Sequence, residues 1–265
     1  MPSSRRTGQT MTGGSVTMGK ALVDVEIIAH RELAVDRPLH VSIKSAIAKV
    51  WEWRGLCGMK EVVCCWSSSK NFRKVLSDTY KAHRSPKPEG YDEMVHTLMN
   101  HFPVQKIEGL EADDVMGILQ TSNKFGETRI VSIDKDMRTI PGWLINPDHY
   151  DAADWQESYW KVTQEEADLW HLHQTVIGDT ADGFKGIPGA GPKAAEKIEC
   201  WDDVVKLGEK KGVDEEYLVL QARLAHILRR DDYLHEQGAI KLWTPPGRTQ
   251  EFFSLKTMEV CDAPT

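Results

Sequence analysis

Acidic residues recur in this chain in short groups where the apolar pattern changes, and their spacing suits the holding of divalent cations. Asp24 closes the apolar run Ala21-Leu22-Val23. Gly109-Leu110-Glu111-Ala112-Asp113-Asp114 precedes a run of helical period, which sets Glu111 and Asp114 one turn apart on one face. Ser132-Ile133-Asp134-Lys135-Asp136 ends another apolar run, and in extended chain Asp134 and Asp136 point the same way. Gly178-Asp179-Thr180-Ala181-Asp182-Gly183 repeats the i, i+3 spacing. A lone acid at a helix start is an ordinary cap that complements the macrodipole, and that reading suits either helix-start group taken singly. The recurrence of such groups favours a shared site. Hard oxygen donors select Mg2+ or Mn2+ over Zn2+, and so many carboxylates exceed what one octahedral ion uses, so two ions are expected. Without cations the gathered carboxylates would repel one another and some would stay protonated. A pair of such ions suits phosphodiester hydrolysis: one activates an attacking water, and both stabilise charge on the attacking and leaving oxygens.

Cations lie close by in sequence. Asn71-Phe72-Arg73-Lys74 and Tyr80-Lys81-Ala82-His83-Arg84-Ser85-Pro86-Lys87 make a basic stretch with an aromatic set in it. Taken singly it reads as a solvated helix face. Next to the acids, Lys81 and Arg84 at helical spacing would present two electrophiles to a scissile phosphate. Phe184-Lys185-Gly186-Ile187-Pro188-Gly189-Ala190-Gly191-Pro192-Lys193 is a tight Gly-rich turn with Pro192 suited to a first helical position. Its backbone N–H groups and Lys193 would cradle a phosphate, and the Gly189-to-Gly191 turn is alternatively a place for a potassium ion.

These residues need a scaffold that gathers them. Strands are expected at Ala21 to Val25, Glu61 to Trp66, Arg129 to Ile133 and Trp143 to Asn146, mostly separated by stretches of helical period. Between the first two, Leu39, Ile43, Ile47, Val50 and Trp51 recur at helical spacing and predict a crossover helix, hence an α/β fold with an at least partly parallel sheet. In such sheets ligands sit at the ends of the strands, where Asp24, Asp134 and Asp136 fall. Beyond Trp143 the strand signals fade. Thr163-Gln164-Glu165-Glu166 has capping-box form and opens a helix through about Ile177, and a second helix is expected over Glu215 to Arg230.

The composition bounds the rest. The 265 residues suffice for one large domain, and 40% hydrophobic with 28% charged residues is a globular balance with no apolar run long enough to span a bilayer. A net charge of −7 opposes DNA binding by overall potential, but acids neutralised locally by cations remove the objection. The 5 cysteines lack a CxxC pair, which predicts neither a disulfide framework nor a zinc site and fits a reducing cytoplasm. Cys64 and Cys65 read as small apolar residues of a buried strand.

From about Lys20 to Trp243, these motifs resemble the flap endonuclease and 5′-3′ exonuclease family, most closely its compact phage exonucleases. The resemblance implies a PIN/FEN-like, mostly parallel sheet flanked by helices, with a helical arch and a helix-hairpin-helix-like (H3TH) helical region. Residues 1–19 would then be a disordered tail, 20–160 the nuclease domain with a short arch over about 72–102, 161–243 the helical DNA-binding region and 244–265 a C-terminal extension. It further implies metal roles for Asp24, Glu111, Asp113, Asp114, Asp134, Asp136, Asp179 and Asp182. Lys81 and Arg84 would sit at the base of the arch, with Arg31 positioning the substrate phosphate. Arg73, Tyr80, Lys185, Gly189, Gly191 and Lys193 are the further candidates for facing DNA. The implied substrate is DNA with a 5′ end, duplex or flap, the implied partners are replication proteins, and the implied setting is the cytoplasm, that of the host if the chain is phage-encoded. Two departures stand out: Ser68 occupies the position where the family usually has an Asp, and Val25 follows Asp24 where the family usually has Gly. They motivate the competing reading of a DNA-structure-binding homologue with weakened catalysis. A PIN-type ribonuclease is the other alternative, disfavoured by the Gly-rich turn.

Overall fold

The computed structural model describes residues 17–122, 124–149 and 159–263. The tail expected at the N-terminus therefore lies outside the described residues up to residue 16, and the first strand already begins at Thr17.

Strands β1 (Thr17–Asp24), β2 (Met59–Trp66), β3 (Val104–Lys106), β4 (Thr128–Val131), β5 (Gly142–Ile145) and β6 (Tyr159–Val162) form one sheet in the order β3-β2-β1-β4-β5-β6. All neighbours pair in parallel except β6, an antiparallel edge. Helices α1 (Val25–Leu33), α2 (Leu39–Leu56), α3 (Phe72–Leu76), α4 (Tyr91–His101) and α5 (Ala112–Gln120) accompany it. The central strand carries Ala21 and Val23 into one core with α1, α2 and α4, and Leu22 into a second core with α5. A strand buried on both faces reads as an unbroken apolar run, which is why β1 was visible in the sequence.

The crossover helix exists as α2, yet its buried stripe runs through Ala46, Val50 and Trp53, while Trp51 is exposed. Cys57, Cys64 and Cys65 are buried free thiols, and burial pushes Cys57 up to about 11, which makes it unreactive.

Downstream lie α6 (Gln164–Ile177), α7 (Pro192–Ala195), α8 (Trp201–Lys210) and α9 (Glu215–Ala225). The capping box forms as expected: Glu166 N–H donates to Thr163 Oγ1 at 3.1 Å and Thr163 N–H to Glu166 Oε2 at 2.9 Å. Helix α9 stops short of the expected Arg230, because His226 is extended and Leu228 N–H is drawn to Asp114 Oδ1 at 3.1 Å. Strands β7 (Tyr233–Leu234), β8 (Ala239–Lys241), β9 (Phe252–Ser254) and β10 (Glu259–Cys261) then form a small antiparallel sheet. This sheet crosses the boundary expected at residue 244, and Ile240, Leu242, Phe253 and Leu255 pack it on Phe72 of α3, Leu110, and Ile118 of α5. Among the described residues no helix is long and apolar enough to cross a membrane.

Candidate active site

Parallel pairing puts the C-terminal ends of β1, β2 and β4 along one edge. Strand β1 runs directly into α1, and Asp24 at the junction caps that helix, accepting from Glu26 N–H at 2.7 Å and Ile27 N–H at 3.4 Å. Strand β2 delivers Ser67, whose Oγ accepts Ala112 N–H at 3.1 Å and so pins the start of α5 to the sheet edge. Glu111 is the N-cap of α5 and Asp114 its third residue, which accepts Glu111 N–H at 3.2 Å. After β4, Asp134 caps a 3₁₀ turn (Lys135–Thr139) and accepts Asp136 N–H at 2.8 Å. These two acids are thus joined by a turn, not by the alternation of an extended strand. The Gly178-to-Gly183 loop is closed by reciprocal backbone bonds between Asp179 and Phe184, while Asp179 Oδ1 accepts Ala181 N–H at 2.7 Å and Asp182 N–H at 3.3 Å.

The acids meet. Glu111, Asp113, Asp136 and Asp182 line one cleft with Tyr80 and Gln174. Burial, then Glu26 and Asp134, holds Asp24 up at about 7. Burial, followed by Asp134 and Asp24, holds Asp113 well above the usual carboxylate range, and burial with the Asp182 charge also raises Asp134. Asp136 stands at about 7 from burial and from Asp134, Asp179 and Asp182. Asp134 is the charge common to Asp24, Asp113 and Asp136, which places the four carboxylates in one neighbourhood.

Cations answer part of that repulsion. Burial pushes Glu111 upward, but Lys81, Arg73 and the Tyr80 hydroxyl outweigh it and bring the carboxyl down to about 2. Lys81 is bonded to Glu111 and lies 3.4 Å from Asp182, and Arg84 reaches the other Asp182 oxygen at 2.9 Å. Lys135 reaches Asp179 at 2.9 Å and, against the effect of burial, holds that carboxyl below its usual range.

Several expected placements change. Asp114 is fully buried with both oxygens on the Arg73 guanidinium, at 2.7 and 2.8 Å, so it faces the interior and leaves the ligand set. Arg73 and Tyr80, expected to face DNA, are 2% and 4% exposed: Arg73 also donates to the Leu224 carbonyl, and Tyr80 Oη to Glu111 at 2.7 Å. Lys81 and Arg84 do converge on Asp182, but not from one helical face, because Lys81 has φ 54. The arch region is α3 and α4 joined by a largely non-helical segment whose base is stitched to the Gly-rich loop by Lys81 N–H to the Asp182 carbonyl at 2.8 Å. Arg31 lies at the end of α1, paired with Asp148 at 2.8 Å. Lys185, Gly189 and Lys193 are exposed and Gly191 is half-buried, with Pro192 at the first position of α7 as expected. The Gly189 carbonyl accepts from Lys211 Nζ at 3.5 Å. Ser68 Oγ accepts Lys70 N–H at 3.2 Å, and its own N–H donates to the Leu110 carbonyl.

Three participants were missed. Glu26 hydrogen-bonds Ser67 and accepts from Tyr91 Oη at 3.0 Å, and it is the foremost charge acting on Asp24. Its i, i+2 spacing from Asp24, the same as in the Asp134 pair, was a usable signal. Lys135 was quoted within a motif but given no role, and Gln174, which bonds Asp136, carried no signal at all.

Comparison with known proteins gives the family. The family model for the "5′-3′ exonuclease, N-terminal resolvase-like domain" matches residues 40–158. The exodeoxyribonuclease of Enterobacteria phage T3 is 33% identical, over 78% of this chain and 80% of that protein. The exonuclease of Escherichia phage T7 is 32% identical with the same coverage. This chain belongs to the 5′-3′ exonuclease family. In fold it is similar to the bacteriophage T5 flap endonuclease in a pseudo-enzyme-product complex with DNA and metal ions, with TM-score 0.54 and 15% identity over 78% of this chain and 88% of that one.

Family membership poses a question of fit. Among the described residues no three acids, histidines or cysteines stand in a ready-made ligand arrangement, and Lys81, Lys135 and Arg84 are bonded among the acids. The donor set itself consists of hard carboxylate oxygens under mutual repulsion, which suits a hard divalent cation and not a soft one. In this exonuclease family member the acids fit such a group.

Proposed function

We propose that the chain hydrolyses DNA phosphodiester bonds as a 5′-3′ exonuclease with flap endonuclease activity, and that Mg2+ or Mn2+ is its cofactor. The observation carrying this reading is the convergence of the acids at one sheet edge, where Glu111, Asp113, Asp136 and Asp182 line one cleft and Asp134 acts on Asp24, Asp113 and Asp136 alike. Those four, with Asp179 and Asp182, would hold two ions, which when bound supply an acidified water and charge stabilisation on the phosphate. Glu111 anchors Lys81 beside them, and Arg73 with Asp114 fixes the start of α5. Lys81 and Arg84 aim positive charge at the place of the phosphate and stabilise negative charge as it develops there. Arg31, Lys185 and Lys193 hold the backbone of the duplex, with Gly189 and Gly191 letting it approach. A potassium ion at the Gly189-to-Gly191 turn would take the Gly189 carbonyl from Lys211 Nζ, which lies 3.5 Å from it.

The test is cleavage of a 5′-labelled duplex in Mg2+. Wild type should release short 5′ products, and Asp134→Ala should slow the reaction by about 10²–10³-fold. An Asp134→Ala protein as fast as wild type would sink the reading.

A further inference from the structure

Three strand ends reach the carboxylate cluster, and one of them brings no acid. Strand β1 delivers Asp24 and the turn after β4 delivers Asp134, but β2 runs out into Ser67-Ser68-Ser69. The Ser68 hydroxyl is turned to its own loop, where it accepts Lys70 N–H at 3.2 Å. An acid from another element stands at that corner. Glu26, in the first turn of α1, reaches across to the end of β2, where Oε2 accepts from the Ser67 hydroxyl and Oε1 from Tyr91 Oη at 3.0 Å. Tyr91 is 2% exposed and held by ring contacts with Trp66 and His30, so its hydroxyl fixes the direction of the carboxylate. Ser67 Oγ also accepts Ala112 N–H at 3.1 Å, so one hydroxyl separates Glu26 from the helix start that carries Glu111 and Asp113.

Positive charge is distributed unevenly around these acids. Lys81, Arg84, Arg73 and Lys135 pair with Glu111, Asp182, Asp114 and Asp179. Among the described residues no Lys or Arg forms an ion pair with Asp24 or Glu26, and Lys87 lies over the Tyr91 ring instead. Two carboxylates brought together without a cation repel, and hydroxyl partners do not neutralise them. A carboxylate offers about four lone-pair sites, so Glu26 keeps acceptor capacity beyond its bonds to Ser67 and Tyr91.

We infer that Glu26 supplies the carboxylate that the end of β2 lacks, and that with Asp24 it holds one of the divalent ions. The inference rests on the nuclease reading above and adds to its ligand set a residue outside the four acidic groups. A role confined to bracing β2 against α1 would need the hydrogen bonds of Glu26 but not its charge, since Asp24 already caps the helix.

The test is Mn2+ binding by the full chain, read from the free-ion signal in electron paramagnetic resonance. Glu26→Gln keeps an acceptor for Ser67 and Tyr91 and removes the charge. It should weaken the binding of one Mn2+ by at least about tenfold, while the urea midpoint of the metal-free protein stays the same or rises. Ser68→Asp, introduced beside Glu26→Gln, should return most of the lost affinity, and in the otherwise native chain it should gain less. Half-maximal cleavage of the labelled duplex should need correspondingly more Mg2+ in Glu26→Gln. Mn2+ binding by Glu26→Gln equal to that of wild type would overturn the assignment. So would a loss that Ser68→Asp leaves unrepaired, or an equal gain from Ser68→Asp in both backgrounds. Wild type separates the two failures: a chain that binds no Mn2+ brings down the nuclease reading, whereas one that binds Mn2+ and cuts, with Glu26→Gln its equal, removes Glu26 alone.

Discussion

Asp113 and Asp114 are neighbours of the same type at the start of one helix, and their surroundings divide them completely. Asp113 points at Asp24 and Asp134 and is driven toward protonation, whereas Asp114 is spent on a buried, doubly bonded Arg73. Breaking a buried pair by removing one partner leaves an uncompensated charge. Arg73→Ala is therefore expected to cost about 3–5 kcal/mol of unfolding free energy, read from the urea midpoint, and to lower activity per folded molecule as well, because Arg73 also holds Glu111, the anchor of Lys81. A variant as stable and as active as wild type would show that the buried pair orients nothing.

At the scale of elements, the chemistry depends on a seam between the segment after α3 and the loop after α6. Gly183 has φ +78, and a Cβ there would sit 2.1 Å from the Thr79 carbonyl oxygen, so the segment carrying Tyr80, Lys81 and Arg84 rests directly on glycine backbone. Gly183→Ala should push that segment off, separate Lys81 from Glu111 and Asp182, and lower kcat by at least about tenfold, since a misplacement of about 1 Å can cost more than that. A rise in susceptibility to proteolysis near Lys81 would accompany it. Retained kcat and protection would show that the seam is not what orients Lys81.

For the molecule as a whole, the carboxylate cluster trades stability for function. The folded-state values of about 7 for Asp24 and Asp136 lie above the unfolded value of 3.8, so the native state binds more protons than the unfolded state between those limits. Stability without metal should accordingly fall as pH rises from about 4 to about 7, and Asp136→Asn should flatten that fall and raise the metal-free Tm at pH 7. Glu111 works in the opposite sense and in a different window: its stabilisation is present above 4.5 and lost as pH falls toward about 2. Divalent ions should restore stability at neutral pH, more strongly as pH rises, and their binding should release protons detectable by calorimetry in buffers of different ionisation enthalpy. A metal-free Tm that climbs from pH 4 to 7 in wild type, with no change in slope in Asp136→Asn, would contradict the coupling.

What could be read from the chain was local in origin. The capping box at Thr163 and Glu166, the central strand buried on both faces, the crossover helix and the placement of acids where strands give way to turns each depend on residues within a few positions of one another, and each has a physical signature at that range. Strands of two or three residues such as β7 and β8 carry too little pattern to be seen, and β6 exists because β5 offers it an edge. The interior fate of Arg73, Tyr80 and Asp114, the left-handed backbone at Lys81 and the recruitment of Gln174 were decided by partners far away in sequence. A guanidinium reads the same in sequence whether it meets solvent or a carboxylate, and only the packed fold, which sets the dielectric and supplies the partner, tells which.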